Sequence, residues 1–181
     1  MATIERGIMY SSIKKLKKFT TKDEIDTMIG EPKFRLGKRL VYYYGKGILI
    51  AYAKKCFKVD GCERIEYGEE GKYAVSIYHF VDKEFLKEYF DLDSLEEIDI
   101  QEFTKGIIDE EIDYNKTFSD IHKLGLDKKY INHYREGENC ILVNGTMKVL
   151  NLFIMYGSYT LFFRGGSKKN KLSGFQYTLC E

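Results

Sequence analysis

The apolar residues near the start of the chain follow helical spacing before they change to strand alternation. Thr21 and Glu24 form a capping-box pattern, in which each side chain can satisfy a backbone donor at a helix start. The apolar residues within Ile25–Ile29 then recur at i, i+3 and i+4, which predicts a short helix with one apolar face. Pro32 lies just past a glycine, as is typical of a helix end.

Four segments of strand-like composition follow this helix, and glycine-containing turns separate them. They are KRLVYYY, ILIAYAK, ERIEYG and KYAVSIYHF. In the last segment Tyr73, Val75, Ile77 and His79 alternate with other residues, so they are predicted to share one face of a strand. The first part of the chain therefore predicts a helix followed by an antiparallel meander.

The centre of the chain is helical and acidic, and the strand pattern then restarts. Phe85–Phe90 carries an apolar helical stripe, and a second helix is predicted over Gln101–Ile112. Thr117 marks a further helix start, and the apolar residues after it share a face up to Gly125. Four more strands are predicted at ENCILV, TMKVLNLFIMY, YTLFFRG and LSGFQYTL.

An aromatic phrase broken by Tyr-Gly occurs in both halves of the chain. VYYYGKGILIAY begins at Val41, and LFIMYGSYTLFF begins at Leu152. The repeat indicates an internal duplication, although two unrelated meanders rich in Tyr and Phe could also resemble each other. In both places the Tyr-Gly pair is predicted to turn or kink a strand.

The predicted fold class is α+β, with two related units, each a helix plus an antiparallel β-meander, joined by acidic helices. Residues 1–81 form the first α/β unit with its basic N-terminus, 82–113 the acidic helical linker, and 114–181 the second α/β unit. Together they are expected to make one compact domain, since 181 residues suffice for a single core.

The net charge of +1 conceals a strong asymmetry along the chain. Residues 1–58 hold fourteen Lys/Arg against five Asp/Glu, a balance of +9. Residues 82–113 hold thirteen Asp/Glu against three Lys, a balance of −10. An overall attraction to nucleic acid is therefore missing, and segregated charge takes its place.

Cysteine usage and the lack of apolar targeting segments predict a cytoplasmic protein with reduced thiols. The first residues, MATIERGIMYSS, contain no apolar core of a secretory signal, and no run of about 18 apolar residues is available to span a membrane. The four cysteines could form two disulfides in an oxidising compartment, but they show no zinc-ligand spacing. They are Cys56, Cys62, Cys140 and Cys180.

No recognised catalytic or cofactor pattern is present. The histidines, His79, His122 and His133, have no metal-like partner at short spacing and are interpreted as structural or surface residues. The acidic run from Asp91 lacks the glycine that an EF-hand loop needs at its sixth position. The glycine-rich stretch from Gly165 precedes a strand, so it is predicted to be a turn and not a phosphate cradle. We therefore expect no catalytic residues, no metal and no cofactor.

The acidic segment, which we define as residues 82–113, is the most distinctive candidate for binding. Apolar stripes beneath thirteen carboxylates predict a firm negative surface, which suits docking onto a basic partner. An ordinary solvated face is the alternative. Aromatic anchors and steering carboxylates are predicted together at Tyr89, Phe90, Asp91, Asp93, Glu96, Glu97, Asp99, Glu102, Asp109, Glu110, Glu111, Asp113 and Tyr114.

The helix followed by Ile29–Pro32 and the aromatic strand around Tyr42–Gly45 resembles a pattern found in small bacterial immunity and antitoxin proteins. That resemblance implies a cytoplasmic, non-enzymatic protein that neutralises a cognate toxin or effector with a basic surface. It carries over a class of function and no specific residue.

Two other functions stay open. One is a small enzyme or ligand-binding protein with a pocket between the two units. The other is nucleic-acid binding through the basic N-terminal half, with IKKLKKF from Ile13 or with Lys168, Lys169 and Lys171 beside Phe162 and Phe163. Nucleic acid is disfavoured because the acidic segment repels phosphate. No membrane interaction is expected, and an exposed strand edge would allow a homodimer.

Overall fold

The computed structural model describes residues 20–36, 40–53, 73–92, 98, 100 and 112–179, and the backbone of 55–59 and 62–66. The helices in this part of the chain are α1 (Lys22–Ile29), α2 (Lys83–Phe90), α3 (Phe118–His122) and α4 (Leu126–Lys129). The strands are β1 (Phe34–Arg35), β2 (Val41–Gly45), β3 (Ile48–Ala53), β4 (Lys55–Val59), β5 (Cys62–Glu66), β6 (Tyr73–Phe80), β7 (Tyr134–Val143), β8 (Thr146–Tyr156), β9 (Tyr159–Arg164) and β10 (Gly174–Thr178).

One antiparallel sheet of eight strands dominates the fold. Its strand order is β1-β2-β3-β6-β10-β9-β8-β7, while β4 and β5 pair separately. Four neighbouring strands of the sheet come from the first half of the chain and four from the second, and each set of four keeps its own chain order from the outside inward. With its short helices the protein is of mixed α and β type, so the coarse α+β prediction is confirmed. The predicted helix over Gln101–Ile112 lies outside the described residues except at Ile112.

The chain divides into two compact units, Met1–Ile77 with Thr178–Glu181, and Tyr78–Tyr177. The acidic segment belongs to the second unit in this division. The predicted boundaries at residues 81 and 113 stay a prediction.

In the first unit a polar network joins α1 to the β2–β3 hairpin. The Tyr44 hydroxyl donates to Asp26 Oδ1 at 2.7 Å and lies 2.5 Å from the Tyr52 hydroxyl. Burial, the hydrogen bond with Tyr52 and that with Asp26 raise the pKa of Tyr44, and burial raises that of Tyr52. Both phenols are therefore held neutral in the folded protein.

Helix α1 begins as the sequence predicts but buries less than its stripe suggests. The Thr21 hydroxyl accepts from the Glu24 N–H at 3.2 Å, and the Glu24 carboxylate accepts from the Thr21 N–H at 3.0 Å. Ile25 is buried, whereas Met28 is 43% exposed. A single turn of the apolar face thus contacts the core.

The Tyr-Gly pairs act as predicted. Gly45 has a φ of 98° and lies where the β2–β3 register shifts, and Gly157 has a φ of 56° in the turn between β8 and β9. Both backbones adopt the left-handed region that glycine tolerates without a steric penalty. The aromatic phrase therefore encodes two bends in strand pairs.

The core of the second unit is an aromatic cluster beneath α2. The rings of Phe80 and Phe162 stack with centroids 5.9 Å apart, and Phe85 and Tyr89 pack against both rings. Gly174 lies so close to Phe80 that a Cβ at this glycine would stand 2.5 Å from Cδ1 of the ring. The alternation predicted for β6 also proves incomplete, since almost the whole strand, on both faces, is buried.

The β7–β8 hairpin ends in an exposed apolar tip. Its turn places Asn144 and Gly145 at φ values of 50° and 79°, as expected for an Asn-Gly hairpin. Leu142 and Met147 lie opposite each other across the two strands and are 67% and 64% exposed. β7 is also the last strand in the order of the described sheet.

Candidate functional site

The acidic segment is fastened to the second unit by its apolar residues. Helix α2 begins at the N-cap Asp82, whose carboxylate accepts from the Phe85 N–H at 3.0 Å, and ends at Asp91 in the left-handed region. Its carboxylates Glu84 and Glu88, and Asp91 after it, are exposed. The buried apolar residues of the segment are Phe85, Leu86, Phe90, Ile98 and Ile112. The described part of the segment therefore directs charge to solvent and apolar groups to the core.

Arg164 at the end of β9 joins two of these carboxylates. Its guanidinium lies 3.3 Å from Asp82 Oδ1 and 3.0 Å from Glu88 Oε1. All three side chains are about one-third exposed, so solvent screens the pairs and their contribution to stability is small. They connect the N-cap Asp82 and the helical residue Glu88 of α2 to the end of β9.

The three predicted aromatic anchors are used largely inside the protein. Phe90 and Tyr114 are buried, and Tyr89 is half-buried with its ring 5.0 Å from that of Phe162. Asp91 is exposed, while Asp113 is half-buried and accepts from the Asn115 N–H at 2.8 Å. The other predicted partner-binding residues lie outside the described residues: Asp93, Glu96, Glu97, Asp99, Glu102, Asp109, Glu110 and Glu111.

The three histidines have different surroundings. His79 is buried, and its Nδ1 lies 2.6 Å from the hydroxyl of Tyr114. His122 is exposed and its Nδ1 meets the carboxylate of Glu136, whereas His133 is exposed at a turn. An enzyme of the kind considered above needs a histidine and a carboxylate within a concave site, and the His122–Glu136 pair lies instead on an exposed surface.

Glu136 is the centre of a small polar cluster on β7. Tyr134 donates to its Oε1 at 2.5 Å, and His122 contacts the same oxygen. Burial acts to raise the pKa of Glu136, but the hydrogen bonds from Tyr134 and His122 outweigh it and lower that pKa below its usual value. The carboxylate is therefore stabilised in its charged form.

A cleft of about 850 Å³ opens within the second unit, beside the two ends of the acidic segment. It is lined by Val81 to Glu84, by Tyr114 and Asn115, by Arg164, and by Lys169 to Ser173. Four of these side chains are cationic and two are carboxylates. The lining residues do not include any of the three histidines.

Hydrogen bonds hold the backbone of the β9–β10 connection that forms one wall of the cleft. The Asn170 side chain donates to the Arg164 carbonyl at 2.6 Å, and the Leu172 N–H donates to the Lys116 carbonyl at 2.9 Å. On the opposite side, the Val81 N–H donates to the Ser173 carbonyl at 2.9 Å. The stretch from Gly165 is thus a turn between strands, as predicted, but it also shapes a concavity.

Two aromatic residues considered for nucleic-acid binding are unavailable for stacking. Phe162 and Phe163 are 2% and 0% exposed, so neither ring can contact a base. IKKLKKF lies outside the described residues. The hypothesis that the Lys168–Lys171 stretch binds nucleic acid therefore loses the predicted base stacking and depends only on the positive charge of the lysines.

Other sequence features have a simpler outcome. Cys140 is exposed and its thiol is free. Among the described residues, no three His, Cys, Asp or Glu side chains are grouped so that they could hold a metal ion. Within the same part of the chain, no helix has the length and apolar character that crossing a membrane requires.

No family model, curated protein or solved structure matches the chain. The resemblance to immunity and antitoxin proteins therefore depends only on the residues quoted for it, and stays a hypothesis.

Sequence reasoning missed the cleft because its walls come from distant parts of the chain. Lys83 has unremarkable sequence neighbours, and only the pairing of β6 with β10 brings it to one cavity with Lys171. Arg164 has no distinctive sequence pattern either, since it is the last residue of the largely apolar strand β9. The positive charge of Lys168, Lys169 and Lys171 is evident from the sequence, but their position at a cavity is not.

Proposed function

We propose that the protein is a non-enzymatic, protein-binding inhibitor, of the immunity type, that neutralises a toxin or effector through its acidic segment. The observation that carries this proposal is the anchoring of the segment. Phe85, Ile98 and Ile112 are each at most 3% exposed, while Glu84, Glu88 and Asp91 face solvent. Carboxylates on an anchored backbone lose less conformational entropy on binding than carboxylates on a free chain.

The expected partner has a basic surface, as nucleic-acid-cleaving toxins have. A balance of −10 over 32 residues steers such a surface into contact and repels acidic competitors. Because Phe90 and Tyr114 are buried, the contact energy at this face comes from the carboxylates and from the exposed part of Tyr89. Binding is therefore expected to weaken steeply as the salt concentration rises.

Capture of the tagged protein from its native cell, with neighbouring gene products coexpressed, tests the proposal. The decisive variant is Glu96→Lys/Glu97→Lys/Asp99→Lys. The matched control is Asp23→Lys/Glu31→Lys/Asp127→Lys, which reverses three carboxylates that are exposed elsewhere. We expect one stoichiometric partner, lost from the first variant and retained by the second, and we expect its toxicity to be suppressed by coexpression. Equal capture by both variants would leave the acidic segment as solvated surface.

An internal duplication is the second part of this proposal. Thr21 and Thr117 each cap a helix through a capping box, and each also forms an isolated antiparallel bridge, to Tyr73 and Lys171 respectively. The bridged residues lie at or just before the last strand of each set of four. An experimental structure in which the two strand sets failed to superpose would count against a common origin.

Cytoplasm is the proposed compartment. An exposed free thiol at Cys140 suits a reducing environment, where such a group stays unpaired.

A further inference from the structure

We propose that the cleft of the second unit binds a small anion that carries two or more phosphate groups, such as pyrophosphate or a nucleoside polyphosphate. This inference does not depend on the proposed inhibitor function. The cleft includes the first three residues of the acidic segment, but its cations Lys169 and Lys171 lie outside that segment. A volume of about 850 Å³ is within the range of small-molecule sites and exceeds what a single inorganic ion needs.

The charge of the cleft is unbalanced in favour of an anion. Arg164 is already paired with Asp82 and Glu88, and this group of one cation and two carboxylates carries a net charge of −1. Three cations remain, Lys83, Lys169 and Lys171, and none of them forms an ion pair among the described residues. Among the described lining residues the remaining carboxylate is Glu84, so these groups together carry a net charge of about +1.

The cations rise from a backbone that is already ordered. The Phe118 N–H donates to the carbonyl of Asn170, which lies between Lys169 and Lys171, at 3.2 Å, and the Ser119 N–H donates to the Lys168 carbonyl at 3.0 Å. Lys83 is the first residue of α2, an eight-residue helix whose N-terminal backbone carries a partial positive charge. Binding of a ligand would therefore cause little further loss of conformational entropy in the β9–β10 connection.

The composition of the cleft favours phosphate over a base or an extended polyanion. Tyr114 is the one aromatic residue among the described residues of the lining, and its ring is 7% exposed, so it offers no open face for stacking a base. Glu84, near the start of the acidic segment, belongs to the lining of the cleft and repels a nucleic-acid strand that continues beyond the cavity. A compact polyphosphate can contact the lysines without extending toward carboxylates outside the cavity.

Calorimetric and NMR titrations of the full chain with pyrophosphate and with ATP at low salt test this inference. We expect saturable binding of both probes, with amide shifts at residues 81–84 and 169–173. The Lys169→Met/Lys171→Met variant is expected to weaken binding about tenfold, because two of the three unpaired charges are removed. The control variant Lys128→Met/Lys148→Met removes two exposed lysines from outside the lining and is expected to change affinity less than about twofold.

The two probes and two competitors separate the outcomes. Equal affinities for pyrophosphate and ATP would assign recognition to the phosphates alone, and tighter ATP binding would assign a nucleotide; both support the inference. Equal binding of citrate would overturn the preference for phosphate, and tighter binding of a single-stranded oligonucleotide would replace it with a nucleic-acid surface. Absence of saturable binding, or equal loss in both lysine variants, would remove the site.

Discussion

The imidazole Nδ1 of His79 and the hydroxyl of Tyr114 lie 2.6 Å apart in the interior of the second unit. His79 belongs to β6, which precedes the acidic segment, and Tyr114 is the first residue after it. The hydrogen bond thus joins the two ends of a segment whose proposed role requires a fixed position. Both residues are less than 10% exposed, so water cannot replace either partner easily.

Tyr114→Phe is expected to lower the free energy of unfolding by about 1–2 kcal/mol, because the buried imidazole loses a partner that water does not replace. Urea denaturation measures the change. Tyr177→Phe is the matched control, since the Tyr177 hydroxyl makes no hydrogen bond within the described part of the chain, and it is expected to be nearly neutral. Hydrogen exchange should also quicken at residues 112–116 in the Tyr114 variant alone. Equal stability of the two variants would mean that the bond contributes nothing.

Gly174→Ala is expected to destabilise the protein by about 3 kcal/mol through overpacking. A Cβ at this position would stand 2.5 Å from Cδ1 of Phe80 and 2.7 Å from the His79 carbonyl oxygen, and the latter belongs to a strand backbone that cannot move aside. Gly166→Ala is the control, since its Cβ would meet Val149 at an ordinary 3.5 Å. Thermal unfolding monitored by circular dichroism compares the two. A neutral Gly174 variant would show that β6 and β10 are less tightly packed than described.

Alkaline pH is expected to unfold the protein in a way that depends on Tyr44. The folded-state pKa of this phenol is raised, chiefly by burial, so its contribution to stability is complete below the usual value of 10. It decreases as pH rises further, because the unfolded state then ionises while the folded state does not. Tyr44→Phe should cost about 1–2 kcal/mol at neutral pH and make the alkaline decline shallower. Tyr42→Phe, whose ring is kept over Lys22, is the control and should leave the stability at neutral pH nearly unchanged. Urea denaturation at several pH values between neutral and strongly alkaline provides the measurement.

Acid stability is expected to depend on Glu136. Its pKa is lowered in the folded state by Tyr134 and His122 against the opposing effect of burial, so the carboxylate stabilises the fold above the usual value of 4.5. That contribution is lost as pH falls through the lowered folded-state pKa. Glu136→Gln should cost about 1 kcal/mol at neutral pH, and the difference from the unmodified protein should vanish in acid. Glu138→Gln, an exposed carboxylate on the same strand, is the control. A constant difference at all pH values would contradict the assignment.

The features that the sequence predicts well are encoded by neighbouring residues. The capping box at Thr21 and the helix start at Thr117 each depend on residues within four positions, and both form as predicted. The burial of Tyr114 depends on a residue 35 positions away, which no local pattern could identify. For the same reason Tyr114 is predicted from the sequence to contact a partner, whereas in the structure its ring is buried in the core.

The candidate sites also differ in whether they depend on neighbouring or on distant residues. The charge of the acidic segment is a local property and was visible from composition, as was the cationic stretch at Lys168–Lys171. The meeting of Lys83 with Lys171 is a property of strand order, because the ends of β6 and β10 must first become neighbours. The sequence is therefore sufficient to propose which segments bind through charge. It is not sufficient to predict the cleft, because the cleft depends on the order of the strands.

The exposed tip of the β7–β8 hairpin is expected to make the protein aggregate when it is concentrated. Residues 140–143 carry no charge, have strong β-propensity and lie on the last described strand of the sheet, a combination that recruits like strands into aggregates. The other end of β7 carries the charged residues Arg135, Glu136 and Glu138, which disfavour such pairing. The tendency to aggregate is therefore limited to the few residues around Leu142. A single lysine at Leu142 would act as a gatekeeper and keep concentrated samples dispersed.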